Sequence, residues 1–76
     1  GYIGNTPILD ACKRGHVSIV ELLISKGANI HDRDDEGNTP LIAASRWGHL
    51  SVVELLISKV ADIHDTILFL FHFFYL

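Results

Sequence analysis

The stretch Gly37-Asn38-Thr39-Pro40-Leu41-Ile42-Ala43-Ala44-Ser45-Arg46-Trp47-Gly48-His49 decides the fold, because its frame is already written once upstream, as Gly4-Asn5-Thr6-Pro7 and Gly15-His16. The echo is wider than this stretch. Residues 4–32 recur at residues 37–65, an offset of 33, and 19 of the 29 aligned positions are identical. The longest shared run is Val-Glu-Leu-Leu-Ile-Ser-Lys, at Val20–Lys26 and Val53–Lys59. A fixed period between about 20 and 50 residues marks an array of small units that stack on one another rather than a globule with one private core. Arrays offer surfaces, so binding is the first expectation and catalysis a distant one.

Each unit reads as two helices. Thr39-Pro40 opens the first: a threonine oxygen can accept an orphan amide of the first turn, and proline at the first helical position gives up only an N–H that had no partner. Gly48 can take the left-handed conformation that ends it about two turns later. Ala43, Ala44 and Ser45 are small and permit close approach of a neighbour. Ser51 is expected to cap the second helix, with Glu54 three residues on completing a capping box. Val52, Val53, Leu55, Leu56 and Ile57 make that helix apolar over more than one stripe, so it must be covered on two sides. Thr6-Pro7, Gly15, Ser18, Glu21 and Ile19–Ile24 repeat every feature, and Gly27 ends the second helix of the first unit. Between the pairs, Ala28–Gly37 is polar and turn-rich, with its tip at Asp32-Arg33-Asp34-Asp35-Glu36-Gly37; it reads as an exposed, hairpin-like loop.

These residues resemble the ankyrin repeat family. The resemblance rests on the 33-residue period, the Thr-Pro-Leu opening, Ala44, Gly48-His49-Leu50, Val53-Glu54-Leu55-Leu56 and Ala61-Asp62. It covers residues 1–65, repeat one at 1–33 and repeat two at 34–65, and leaves an apolar tail at 66–76. It implies an all-α solenoid of stacked helix-turn-helix units with short hairpin loops. It also implies a protein-interaction role inside the cell, in the cytoplasm, without cofactor or small-molecule substrate. Family contacts come from hairpin tips and the outer face of the first helix. By position these are Tyr2, Ile3, Asn5, Lys13 and Arg14 in repeat one, and Arg33, Asp35, Glu36, Asn38, Arg46 and Trp47 in repeat two. The repeats also differ there, Lys13-Arg14 against Arg46-Trp47, as expected if stacking holds the framework and leaves outer positions to specialise. Tryptophan and arginine are enriched among interface hot spots, which puts Trp47, Arg46 and Arg14 first.

Two departures from the family pattern carry consequences. The histidine that commonly follows Thr-Pro-Leu is Leu9 in one repeat and Ile42 in the other, so a side chain that ties loop backbone is missing. Gly27 becomes Val60 in repeat two. A β-branched residue with positive φ is an outlier, so repeat two is expected to end differently, its helix running on or unravelling.

Composition narrows the partners. The 76 residues carry a net charge of −3 with only 6 basic residues, none clustered beyond a pair, which argues against a nucleic-acid partner. One cysteine, Cys12, excludes an internal disulfide and fits a reducing compartment. It stands where the family has a small apolar residue and reads as an inert buried thiol. No Met occurs and no basic, apolar leader is visible at the N-terminus, so the sequence reads as a fragment cut near a repeat boundary. Asp32, Asp34, Glu36 and Gly37 imitate the start of a calcium loop, but its twelfth place, which needs a bidentate Glu, is Ala43. His16 and His49, one per repeat, read as turn histidines bonded to backbone rather than metal ligands. No nucleophile elbow or phosphate-binding glycine pattern occurs.

The tail, Thr66-Ile67-Leu68-Phe69-Leu70-Phe71-His72-Phe73-Phe74-Tyr75-Leu76, shares nothing with the repeat. Eleven residues of helix span only about 16 Å of a bilayer core of about 30 Å. The tail is read first as a foreign or truncated junction, and second as a makeshift cap folded over the apolar end of the stack. The principal reading is a protein-binding module. A membrane enters only if the tail begins an anchor, and a third reading is a degenerate fragment without independent function.

Overall fold

A computed structural model describes residues 4–75, for 61–66, 73 and 75 by their backbone alone. It contains four helices among the described residues: α1 (Pro7–Arg14), α2 (Val17–Ser25), α3 (Pro40–Arg46) and α4 (Leu50–Tyr75). No described residue is in a strand. The all-α architecture expected from the repeat is the one found.

The helix starts follow the sequence. Thr6 and Thr39 accept the amides of Leu9 and Ile42 at 3.4 and 3.2 Å, and a proline follows each. Gly15 ends α1 at φ 74°, and Gly48 follows α3 at φ 73°. The second helices start two residues earlier than a serine cap allows. α2 begins at Val17, with His16 at the cap position and no side-chain cap bond, and Ser18 lies inside the first turn. The reason is the left-handed glycine. It lets the His16 amide reach the Ala11 carbonyl at 3.0 Å, while the His16 carbonyl accepts from Val20 at 2.9 Å. The chain turns from one helix straight into the next, and His49 does the same with Ala44 and Val53.

Packing follows from the apolar faces. α1 lies against α2 and α3, and α4 against α3 and α2. Ile8, Ala11, Cys12, Val20, Ala43, Ala44, Val52 and Leu56 form one buried cluster that crosses the boundary between the repeats. Neither unit has a core of its own. Burying a side chain such as Leu56 contributes about 1.5–3 kcal/mol, which a chain this short needs from its neighbouring unit. Burial pushes the Cys12 thiol up to about 11, so it stays protonated and unreactive at neutral pH.

The two units end differently. α2 stops in a paired turn: the Gly27 amide, at φ 94°, donates to Ile24 O at 3.0 Å and Ala28 N–H to Leu23 O at 2.9 Å, the Schellman arrangement. In repeat two no non-glycine residue has positive φ, and α4 passes through Val60 to Tyr75. The helix therefore runs on, one of the two outcomes expected from Gly27 becoming Val60. The tail continues α4 instead of folding over the end of the stack. Ile67, Leu68, Phe69, Leu70, Phe71 and Phe74 are exposed, so the cap reading gives way to a projecting helix.

Candidate protein-interaction surface

The hairpin of repeat two is organised by a residue absent from the sequence-based candidates. Asp34 is buried, and its carboxylate accepts the backbone amides of Glu36 (2.9 Å) and Asn38 (2.8 Å) and the Asn38 side-chain amide (3.0 Å). Lys13 of α1 places its Nζ 3.4 Å from the same carboxylate. The Asn38 side-chain bond first, then the backbone amides and Lys13, hold the Asp34 carboxyl at about 2, below its ordinary value near 4. Asp34 thus supplies the loop tie that Leu9 and Ile42 do not. The acids that imitate a calcium loop are explained the same way, because the central one is committed to the turn. Its sequence counterpart in repeat one is Gly1, which hid it from a comparison of the two copies. The retrievable signal was an acid four residues before an asparagine across a glycine turn.

Beside this hairpin lies a cleft of about 370 Å³ lined by Lys13, Asp34, Glu36, Asn38, Ala43, Arg46 and Trp47. Five of the sequence candidates meet there: Lys13, Glu36, Asn38, Arg46 and Trp47. Lys13, Asn38 and Arg46 are held by local bonds. The Arg46 Nη1 donates to the Asn38 side-chain oxygen at 3.1 Å, which ties the end of α3 to the hairpin. Trp47 follows α3 at its C-terminal cap, its backbone amide bonded to the helix end, and is 68% exposed. Lys13 crosses from the other repeat, so the cleft exists only where two units meet.

The other candidates lie apart. Arg14 pairs with Asp10 one turn back on α1 at 3.1 Å, an exposed pair worth a few tenths of a kcal/mol, roughly. It does not line the cleft with Arg46 and Trp47. Arg33 donates to the Gly37 carbonyl at 2.9 Å and stiffens the hairpin tip. Asp35 is exposed, with its carboxylate packed where a Cβ on Gly4 would fall, and Asn5 is exposed. Tyr2 and Ile3 lie outside the described residues.

The joint between the repeats has its own latch. The His49 ring donates from Nε2 to the Lys13 carbonyl at 2.8 Å; a carbonyl only accepts, which fixes the tautomer. A side chain on Gly15 would collide with that ring, so Gly15 is required both by its φ and by the approach of His49. The turn histidine bonded to backbone, expected for His49, is found, and the backbone belongs to the preceding repeat.

A family model described as ankyrin repeats (3 copies) matches residues 3–67. The chain belongs to the ankyrin repeat family. Among curated ankyrin proteins, it is 56% identical over 32 residues to the ankyrin repeat and KH domain-containing protein mask-1 of Caenorhabditis elegans, and 53% identical over 32 residues to a Caenorhabditis briggsae protein of the same description. Each alignment covers 42% of this chain and 1% of the relative, about one repeat's length of a far longer protein. Ankyrin repeats are generally protein–protein interaction modules, and the family is typically non-catalytic. No helix among the described residues is both long and apolar enough to cross a membrane.

Proposed function

We propose that this ankyrin chain binds a partner protein in the cleft between its hairpin and the first helices of its two repeats, with Trp47 and Arg46 as the anchors. The observation that carries the reading is the convergence of Lys13, Glu36, Asn38, Arg46 and Trp47 on one concavity beside an exposed indole. The cleft floor is the small, buried Ala43, and its walls hold cations and acids already oriented by internal bonds. A peptide can lay an apolar side chain over Ala43 against Trp47 while the guanidinium of Arg46 takes an acceptor. Little ordering is then needed on the ankyrin side.

Peptides selected from a display library on the 76-residue chain test the reading. Trp47→Ala should weaken the selected binders by at least about 2 kcal/mol, the hot-spot range, and Arg14→Ala should leave them unchanged. Binders indifferent to Trp47→Ala and Arg46→Ala would place the interaction elsewhere. The setting proposed is intracellular and cytoplasmic, where a reducing milieu keeps Cys12 a thiol.

The projecting end of α4 favours a second reading, a membrane-tethered ankyrin protein. Its exposed side chains from Ile67 to Phe71 are apolar on all sides. Flotation with neutral phosphatidylcholine vesicles, lost on Phe71→Asp, would support a tether. An unbound chain would exclude it for these residues.

A further inference from the structure

The cleft beside Trp47 is lined by two cations and two acids, and they are not equally free. Lys13 and Asp34 are committed to each other and to the hairpin. The Asp34 side chain is 3% exposed and accepts three amide N–H bonds, and the Lys13 ammonium lies 3.4 Å from the same carboxylate. An ionised carboxylate offers about four lone-pair sites, so this one is filled. To an incoming chain the pair is close to neutral.

Arg46 and Glu36 differ from that pair. Both are exposed and both line the cleft. The Arg46 Nη1 donates to the Asn38 side-chain oxygen, a neutral acceptor that positions the guanidinium without cancelling its charge. The Glu36 carboxylate has no hydrogen bond or ion pair among the described residues. The two charges are also held near one another. The Glu36 and Asn38 amides bond the same Asp34 oxygen at 2.9 and 2.8 Å, so their backbones stand side by side on one turn, and Asn38 in turn holds Arg46. The cleft therefore presents one uncompensated cation and one uncompensated anion beside an exposed indole.

We propose that the partner segment is of mixed charge: an apolar residue against Trp47, with an acid for Arg46 and a base for Glu36 within a few residues of it. This rests on the cleft being the binding site. In open water both charges are hydrated. Once a chain covers the cleft, each loses water, and a charge left unmatched there is penalised more than a matched one is favoured. A wholly acidic segment is repelled by Glu36, a wholly basic one by Arg46, and an uncharged one leaves both unpaired. The same two residues that attract the right partner therefore exclude the wrong ones.

Random peptides displayed on phage and selected on the full 76-residue chain supply the probes, and fluorescence anisotropy reads their affinities. Peptides that depend on Trp47 should carry both an acid and a base close to an apolar residue. Arg46→Glu should weaken them at least tenfold. Changing the peptide's acid to lysine should restore binding to that variant and weaken binding to the wild-type chain. Glu36→Lys should be rescued in the same way when the peptide's base becomes glutamate. Glu21→Lys, the same charge change on α2 and outside the cleft, should alter neither preference. Circular dichroism checks that each variant keeps its helices. Loss of the Arg46–Asn38 tie alone would weaken all peptides alike, whereas rescue follows the peptide's own charge. Trp47-dependent peptides of one charge sign or of none, or variants that the exchanged peptides fail to rescue, would overturn the mixed-charge partner and leave the cleft reading standing. Wholly acidic peptides would overturn it by showing that Lys13 leaves Asp34. Peptides indifferent to both Trp47→Ala and Arg46→Ala would remove the cleft itself, and this proposal with it.

Discussion

The run Val-Glu-Leu-Leu-Ile-Ser-Lys occurs in both repeats, helical as far as Ser25 in the first, where Lys26 caps α2, and helical throughout in α4, yet α2 is 9 residues long and α4 is 26. The residue that follows the run separates them. Gly27 can turn left-handed and return two amides to the helix end, whereas Val60 keeps helical backbone and lets the ladder continue. The intrinsic preference of seven identical residues is the same in both copies. Where a helix ends is decided by whether one position can leave the right-handed region.

The comparison can be broken most severely in the shared core. Leu56→Ala empties a fully buried site in α4 and should cost about 2–5 kcal/mol. The equivalent Leu23→Ala in α2, only half-buried, should cost clearly less; equal losses in chemical denaturation would contradict the burial difference. Next is Gly27→Val, which asks α2 to behave like α4. No atom lies within 4 Å of the new Cβ, so the cost is backbone strain alone, on the order of 1–3 kcal/mol. A melting temperature unchanged by this substitution would mean that the turn does not need its glycine. Val60→Gly is the reverse exchange. It should lower ellipticity at 222 nm as α4 shortens, while stability changes by about 1 kcal/mol or less. In the wild-type chain the last effect is a pH dependence confined to acid. The Asp34 carboxyl is held at about 2, below its unfolded value of about 3.9, so its contribution is complete above about pH 4 and is lost as pH falls toward 2. Asp34→Asn should lower stability at neutral pH and flatten that acid dependence, which urea melts at stepped pH would read.

The 33-residue echo made most of the fold legible. Thr-Pro starts and glycine stops act through neighbours in sequence, and they stand where the residues placed them. The starts of α2 and α4 were misplaced by the serine rule, because Gly15 and Gly48 let the chain re-enter helix before Ser18 or Ser51 is reached. The proposed cleft was foreshadowed in outline, since Lys13, Glu36, Arg46 and Trp47, which line it, stand at positions that differ between the repeats, whereas Asn38 matches Asn5. Arg14 was grouped with Arg46 and Trp47 by position in the repeat, but its partner is Asp10 on its own helix. Asp34 escaped because its importance lies in bonds to Asn38 and Lys13 that only the folded hairpin brings together.

The length of α4 has a mechanical consequence. Ser58 corresponds to Ser25, where α2 ends, and α4 continues 17 residues beyond it to Tyr75. At 1.5 Å per residue that is a strut of about 25 Å. Anything that grips its tip would hold the Trp47 cleft at a set standoff and orientation, as a mast carries an antenna. A flexible linker would let the cleft wander; a continuous helix gives it an address in space.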